Sequence, residues 1–144
     1  MSSNLSDFTS SSPSNVARTS LYSDLDLGFI IHPTTGDVSP VLDILAVQNA
    51  VKNLVLSNFY EPPFDPFRGG NLVGLLFEPV DSFTALALKK EITRVLNDHE
   101  PRINALNVQV VDNSENNEYD VTISFNVIAL SQGGTVNFYL ERLR

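Results

Sequence analysis

The 144-residue sequence contains no cysteine and only two histidines, His32 and His99. No disulfide can staple it, and a zinc cage of cysteines and histidines cannot be assembled. A carboxylate-only metal site would need a clustered acidic loop, which the sequence does not offer. The lack of cysteine suits assembly in a reducing cytoplasm. Basic residues are scarce too: nine Lys and Arg stand against seventeen Asp and Glu, a net charge of −8. Such a chain repels phosphate backbones and anionic lipid surfaces, so neither nucleic acid nor membrane is an expected partner. No stretch approaches the ~20 apolar residues of a membrane span. Met1-Ser2-Ser3-Asn4 opens with neither the basic start nor the apolar run of a leader.

Enzyme motifs are missing as well. There is no nucleophile elbow, glycine-rich phosphate loop, paired-histidine zinc helix or EF-hand loop, and Gly69-Gly70 fits no phosphate-binding pattern. The sequence therefore predicts a non-enzyme with no catalytic residue, cofactor or metal. Composition alone leaves a two-carboxylate glycosidase open among Asp24, Asp26, Asp65, Glu78, Glu91 and Glu100, most of which read as solvated surface charges.

With 42% hydrophobic and 18% charged residues, the length suits one compact domain. A globule of this size buries roughly 68–70% of the surface its unfolded chain exposes, enough for a core without staples. Residues 1–20 hold eight serines and one proline, and Leu5, Phe8 and Val16 follow no period. Residues 1–21 are thus expected to form a flexible serine-rich arm, idle or ordered on a neighbour, and 22–144 a single domain.

Gly28-Phe29-Ile30-Ile31-His32-Pro33 reads as a short extended run, followed by turn chemistry at Thr34-Thr35-Gly36-Asp37. Asp43 is a suitable N-cap for a helix over about 44–57, in which Val47, Ala50, Val51, Leu54 and Val55 recur at helical spacing. From Asn58 to Asn71, prolines forbid a helix, so Phe59, Tyr60, Phe64 and Phe67 sit on an irregular loop. They either plug the core locally or present an interface patch. A short helix over 72–77 follows. Asp81 or Ser82 caps the next helix, with Ala85, Leu88, Ile92, Val95 and Leu96 on one stripe and Lys89, Lys90, Arg94 and Asn97 largely opposite. Pro101 ends it by Glu100.

The period then changes from 3.6 to 2. Leu106, Val108 and Val110, then Tyr119 to Val127, then Val136, Phe138 and Leu140 alternate with polar residues, and Asn113–Asn117 and Ser131–Gly134 read as hairpin loops. The predicted fold is α+β, with helices packed on one face of a small antiparallel three-stranded sheet.

Asp98-His99-Glu100 places acid at a helix C-terminus, where the dipole prefers cations. Arg102, just past Pro101, is the candidate to resolve the conflict by holding Glu100 or another carboxylate with two parallel bonds. By spacing alone the pair is either exposed, worth ~0–1 kcal/mol, or buried. His99 reads as a partly buried helix residue.

Leu76-Phe77-Glu78-Pro79, then a helix, then Glu100-Pro101-Arg102-Ile103 resembles the signature of the contractile-tail baseplate wedge family. This is the gene-25-like group of tailed phages, shared with type VI secretion baseplates and often labelled lysozyme-like. The likeness runs upstream through Thr35-Gly36-Asp37, Ala50-Val51-Lys52-Asn53-Leu54 and Glu61-Pro62-Pro63-Phe64-Asp65-Pro66, and covers about 22–142. Tyr60 and Pro62 depart from it, standing where the family carries glycine and arginine. The resemblance implies a structural protein of the virion tail baseplate, assembled in the host cytoplasm, six copies per baseplate. It would bind other wedge proteins and template the start of the sheath. It also implies that Glu100, Pro101 and Arg102 form a buried salt-bridge motif. Candidate interface residues are Phe64, Asp65 and Pro66 in the loop and Asn137 and Tyr139 in the last strand, whose free edge would accept a strand of sheath protein. The lysozyme-like label leaves peptidoglycan hydrolysis as the alternative, and a stand-alone peptide-binding adaptor as a third.

Overall fold

The computed structural model describes residues 20–143; all but the last two residues of the expected arm lie outside them. The chain enters as a strand, β1 (Ser23–Leu25), antiparallel to β2 (Pro40–Leu42), with Ser23 opposite Leu42 and Leu25 opposite Pro40. Between them the hairpin continues: Ile31 bridges Val38, and His32 N–H donates to Asp37 O at 2.7 Å.

Helix α1 (Asp43–Leu56) follows at once. Asp43 is its first residue, with φ +50°, and not its N-cap; that position falls to Leu42, whose side chain makes no capping bond. The Asp43 carboxylate is instead spent backwards, accepting Leu21 N–H at 2.8 Å and Tyr22 N–H at 3.3 Å, while Asp43 N–H donates to Tyr22 O at 2.8 Å. The entry strand is thereby fixed to the helix start. After the irregular loop come α2 (Leu72–Leu76) and α3 (Ser82–His99). Asp81 caps α3 by accepting Thr84 N–H at 2.7 Å, and the bond holds its carboxyl below the ordinary range.

Strands β3 (Ile103–Asn113), β4 (Glu118–Val127) and β5 (Gln132–Glu141) form an antiparallel sheet in the order β3-β4-β5. β3 begins earlier than the alternation predicts, because a register shift between Asn104 and Asn107 interrupts the pattern there. The fold prediction needs correction. The molecule has two sheets, the β1-β2 ribbon and the β3-β4-β5 meander, so it is not a single three-stranded sheet with helices on one face. Strands of three residues flanking a turn carry too little alternation to register as a sheet in sequence.

The core lies between the helices and the apolar face of the meander. Val47, Val51 and Val55 of α1 and Leu88, Ile92, Val95 and Leu96 of α3 are fully enclosed against Tyr119, Val121, Ile123 and Val127 of β4. The Tyr119 hydroxyl donates to Pro79 O at 3.1 Å, which satisfies the one polar atom of that buried ring. None of the described helices is long and apolar enough to cross a membrane.

Candidate functional site

Pro101 ends α3, and Arg102 turns back across it. Its Nε donates to Glu100 Oε1 and its Nη2 to Glu100 Oε2, both at 2.6 Å, a two-bond fork. Glu100 is 4% exposed and the Arg102 side chain 33% exposed. The outer face of the guanidinium lies 5.4 Å from the centre of the Tyr22 ring. The bond to Glu100 holds Arg102 above its ordinary pKa, against the opposing effect of burial. Arg102 O also accepts Ile128 N–H at 3.0 Å, so the same residue ties the end of α3 to the end of the central strand β4 and, through Tyr22, to the entry segment.

A second arginine clamp was not anticipated from the sequence, where Arg94 belongs to a polar face and Glu91 to the solvated carboxylates. Arg94 Nη2 donates to Glu91 Oε1 at 2.7 Å and Nε to Oε2 at 3.1 Å; Nη1 reaches Asp98 at 3.3 Å. Nη2 also donates to Gly69 O at 3.3 Å, Glu91 Oε1 accepts Asn71 N–H at 3.0 Å, and the guanidinium sits 5.4 Å from the Phe59 ring. Together they fasten the aromatic loop to α3. The bond from Arg94 holds the Glu91 carboxyl below its ordinary value. Gly69 has φ +108°, and a Cβ there would run into the Ser57 carbonyl oxygen. The signal available in sequence was the three- and four-residue spacing of Glu91, Arg94 and Asp98 on one helix.

The loop held this way does not plug the core with its aromatics. Phe64 is 99% exposed, Tyr60 and Phe67 are exposed and meet each other at 6.3 Å, and Asp65 and Pro66 share the exposed tip. Only Phe59 is half-buried. Glu61 accepts Asn58 N–H at 2.8 Å and Asn58 Nδ2 at 3.0 Å, which lowers its pKa and organises the loop without a cation.

Strand β5 lies at the outer edge of the meander. Gln48 Nε2 of α1 donates to Thr135 O at 3.0 Å, so that carbonyl faces out of the ladder. By the two-residue period of a strand, Asn137 and Tyr139 turn their backbone groups to the same outer edge. Two segments of the chain are candidates to cover this edge. Phe29-Ile30-Ile31 pairs through Ile31 with Val38 instead, and the serine-rich arm lies outside the described residues but for Ser20 and Leu21. Among the described residues no strand pairs with the edge. The side chains of Asn137 and Tyr139 stand on the polar face of the sheet, opposite Thr122 and Asp120.

The described residues thus hold an arginine fork at Glu100–Arg102, a clamped aromatic loop and a strand edge that no other described strand pairs. Among the described residues no group of His, Asp and Glu is placed to hold a metal ion. Residues 44–132 match the family described as baseplate wedge protein gp25. The chain belongs to that family. Baseplate wedge protein gp25 of Enterobacteria phage T4 is 32% identical over 108 residues, which span 75% of this chain and 81% of the T4 protein. The fold is shared with a candidate tail lysozyme of Geobacter sulfurreducens (TM-score 0.62, 15% identity, 68% of this chain and 89% of that one). It is shared too with a chain of the baseplate complex from the type VI secretion system (TM-score 0.55, 16% identity, 68% and 93%). The gp25 match contains α1 to α3, both arginine clamps, the aromatic loop, β3 and β4; the β1-β2 ribbon and nearly all of β5 fall outside it.

Proposed function

We propose that the chain is a structural, non-enzymatic subunit of a contractile-tail baseplate, six copies per particle, that binds the other wedge proteins and templates the first turn of the sheath. In this reading β5 is the receptor: an extended segment of sheath protein adds to its outer edge, and the baseplate becomes the first rung of a repeating assembly. The observation that carries it is the edge at Asn137 and Tyr139, unpaired among the described residues, in a member of the wedge family. An unoccupied edge on an isolated domain invites aggregation, and retaining one makes physical sense where a partner strand fills it. The exposed loop tip at Phe64, Asp65 and Pro66 is a second contact surface, for neighbouring wedge proteins. Glu100, Pro101 and Arg102 serve the subunit's own rigidity. Assembly takes place in the host cytoplasm and the finished protein resides in the tail baseplate. Its charge of −8 keeps it from nucleic acid and anionic lipid.

Asn137→Pro and Tyr139→Pro, made separately, test the edge. Each removes an outward N–H and no inward one, so the isolated protein should melt as wild type does. Baseplates carrying either variant should bear shortened sheaths or none. Normal sheath length with unchanged stability would overturn recruitment through this strand.

A further inference from the structure

The ribbon that precedes α1 is well ordered in its backbone and poorly covered in its side chains. Leu21, Leu25, Leu27, Phe29, Ile30 and Ile31 are each between 58% and 68% exposed. This is not a loose loop: Ser39 N–H donates to Ile30 O at 3.0 Å, Gly36 N–H to His32 O at 2.9 Å, and Phe29 N–H to Asp26 O at 3.0 Å. Phe29 does so at φ +50°, a left-handed conformation uncommon for a bulky residue and one that costs energy to hold. The hairpin therefore holds its backbone in place, at some cost in strain at Phe29, while leaving these apolar side chains exposed.

The segment itself is also acidic. Asp24 lies near Arg102 and Asp43 is spent on the Leu21 and Tyr22 N–H groups, but Asp26 and Asp37 carry no ion pair among the described residues. Between Ser20 and Asp43 the sequence has Asp24, Asp26, Asp37 and Asp43 and no lysine or arginine. A second copy of this chain is a poor occupant, since it brings the same acidic ribbon and a net charge of −8. Residues 1–19 are a poor one too: past Met1 their large apolar residues are only Leu5, Phe8 and Val16, and Asp7 and Arg18 cancel in charge. An anionic membrane is repelled by the same aspartates.

We propose that the ribbon, residues 21–42, docks a different protein chain, one presenting an apolar cleft rimmed by lysine or arginine. Leu27, Phe29 and Ile31 supply the buried contact, and Asp26 and Asp37 the charge that selects the partner. The site is separate from the β5 edge; it rests on the proposed baseplate role only for where the partner is to be sought.

The test places a photoreactive benzophenone side chain at position 29, and in a parallel sample at position 139, of the full chain produced together with the other proteins of its baseplate. The cross-linked peptides are then sequenced. The expected product at position 29 is a peptide of another baseplate protein that is apolar and net basic. Asp26→Asn with Asp37→Asn keeps the oxygens that accept Gly28 N–H at 2.9 Å and Val38 N–H at 2.7 Å while removing both charges. That variant should retain its melting temperature and lose about threefold or more of the cross-link, an effect that added salt reproduces on the native chain. A product within this chain, from residues 1–19 or from a second copy, would overturn the proposal, as would an acidic peptide or a yield indifferent to both charge and salt. No product at 29 alongside one at 139 would overturn the ribbon while leaving the sheet edge standing. No product at either position would remove both.

Discussion

Arg102 bonds a carboxylate two residues away across a proline that fixes the geometry between them. Replacing it with alanine leaves Glu100, 4% exposed, with no cation at a helix end already unfavourable to acid. The expected cost is about 2–4 kcal/mol, below the full range for an enclosed pair because the Arg102 side chain is one-third exposed, and it should lower the melting temperature by roughly 10 °C. Calorimetry of Arg102→Ala checks this, and a shift of only a degree or two would make the pair a surface contact. Gly69→Ala should also destabilise, by about 1–3 kcal/mol, because φ +108° and the nearby Ser57 carbonyl leave no place for a methyl group. Urea melts of that variant beside Gly36→Ala, whose added methyl meets nothing within 4 Å, separate the packing clash from backbone strain. Glu100 and Arg102 stand out in sequence because proline and the wrong-signed helix end both mark the place, but spacing alone leaves open whether they bond each other and whether they are buried. The role of Asp43 was not legible: an aspartate before an apolar stripe reads as a cap, and only the returning chain at Leu21 and Tyr22 turns its carboxylate elsewhere.

At the scale of elements, the loop and α3 are joined by ionised groups, which makes their union sensitive to acid. Glu91 has its folded pKa depressed below the ordinary 4.5, chiefly by the bond from Arg94. A depressed carboxylate contributes stability that is present above its unfolded pKa and lost as pH falls through the folded one. The loop from 58 to 71 should therefore loosen from α3 as pH drops below about 4.5, while the sheet stays protected. Hydrogen exchange of the Asn71 and Gly70 amides across that range reads the event directly. Glu91→Gln should make their protection low and independent of pH; if it changes nothing, the loop is held by Phe59 and its own turns. The helices and the three long strands were legible because fourteen, eighteen and ten or eleven residues repeat their period many times. The ribbon was missed as a sheet because three-residue strands repeat nothing. The aromatic loop was legible as irregular, but which way its rings face depends on Arg94 and Gly69, tens of residues apart in sequence.

For the molecule as a whole, the question raised by the lysozyme name of a structural relative is whether seventeen acidic residues contain a working pair. A glycosidase needs one carboxyl held protonated near neutral pH, its pKa raised by burial or a neighbouring anion, beside a second that stays ionised across the bond to be broken. The acidic groups perturbed here move the other way. Glu61, Asp81 and Glu91 are all held below their ordinary values, each by hydrogen bonds it accepts from its own loop or helix. Others are committed to scaffolding: Glu100 to Arg102, Asp98 to Arg94, Asp43 to the entry strand, and Glu118 to Asn113 and Asn116. Glu61, Asp81 and Glu91, favoured in the charged form, are poor proton donors at neutral pH, and diverting one of the others to catalysis would unfasten the element it secures. Purified full-length protein should therefore leave the turbidity of a peptidoglycan suspension unchanged against buffer, between pH 5 and 8, at protein concentrations where a true lysozyme clears it. Clearing that disappears on replacing a single carboxylate, with the melting temperature preserved, would make the protein an enzyme after all.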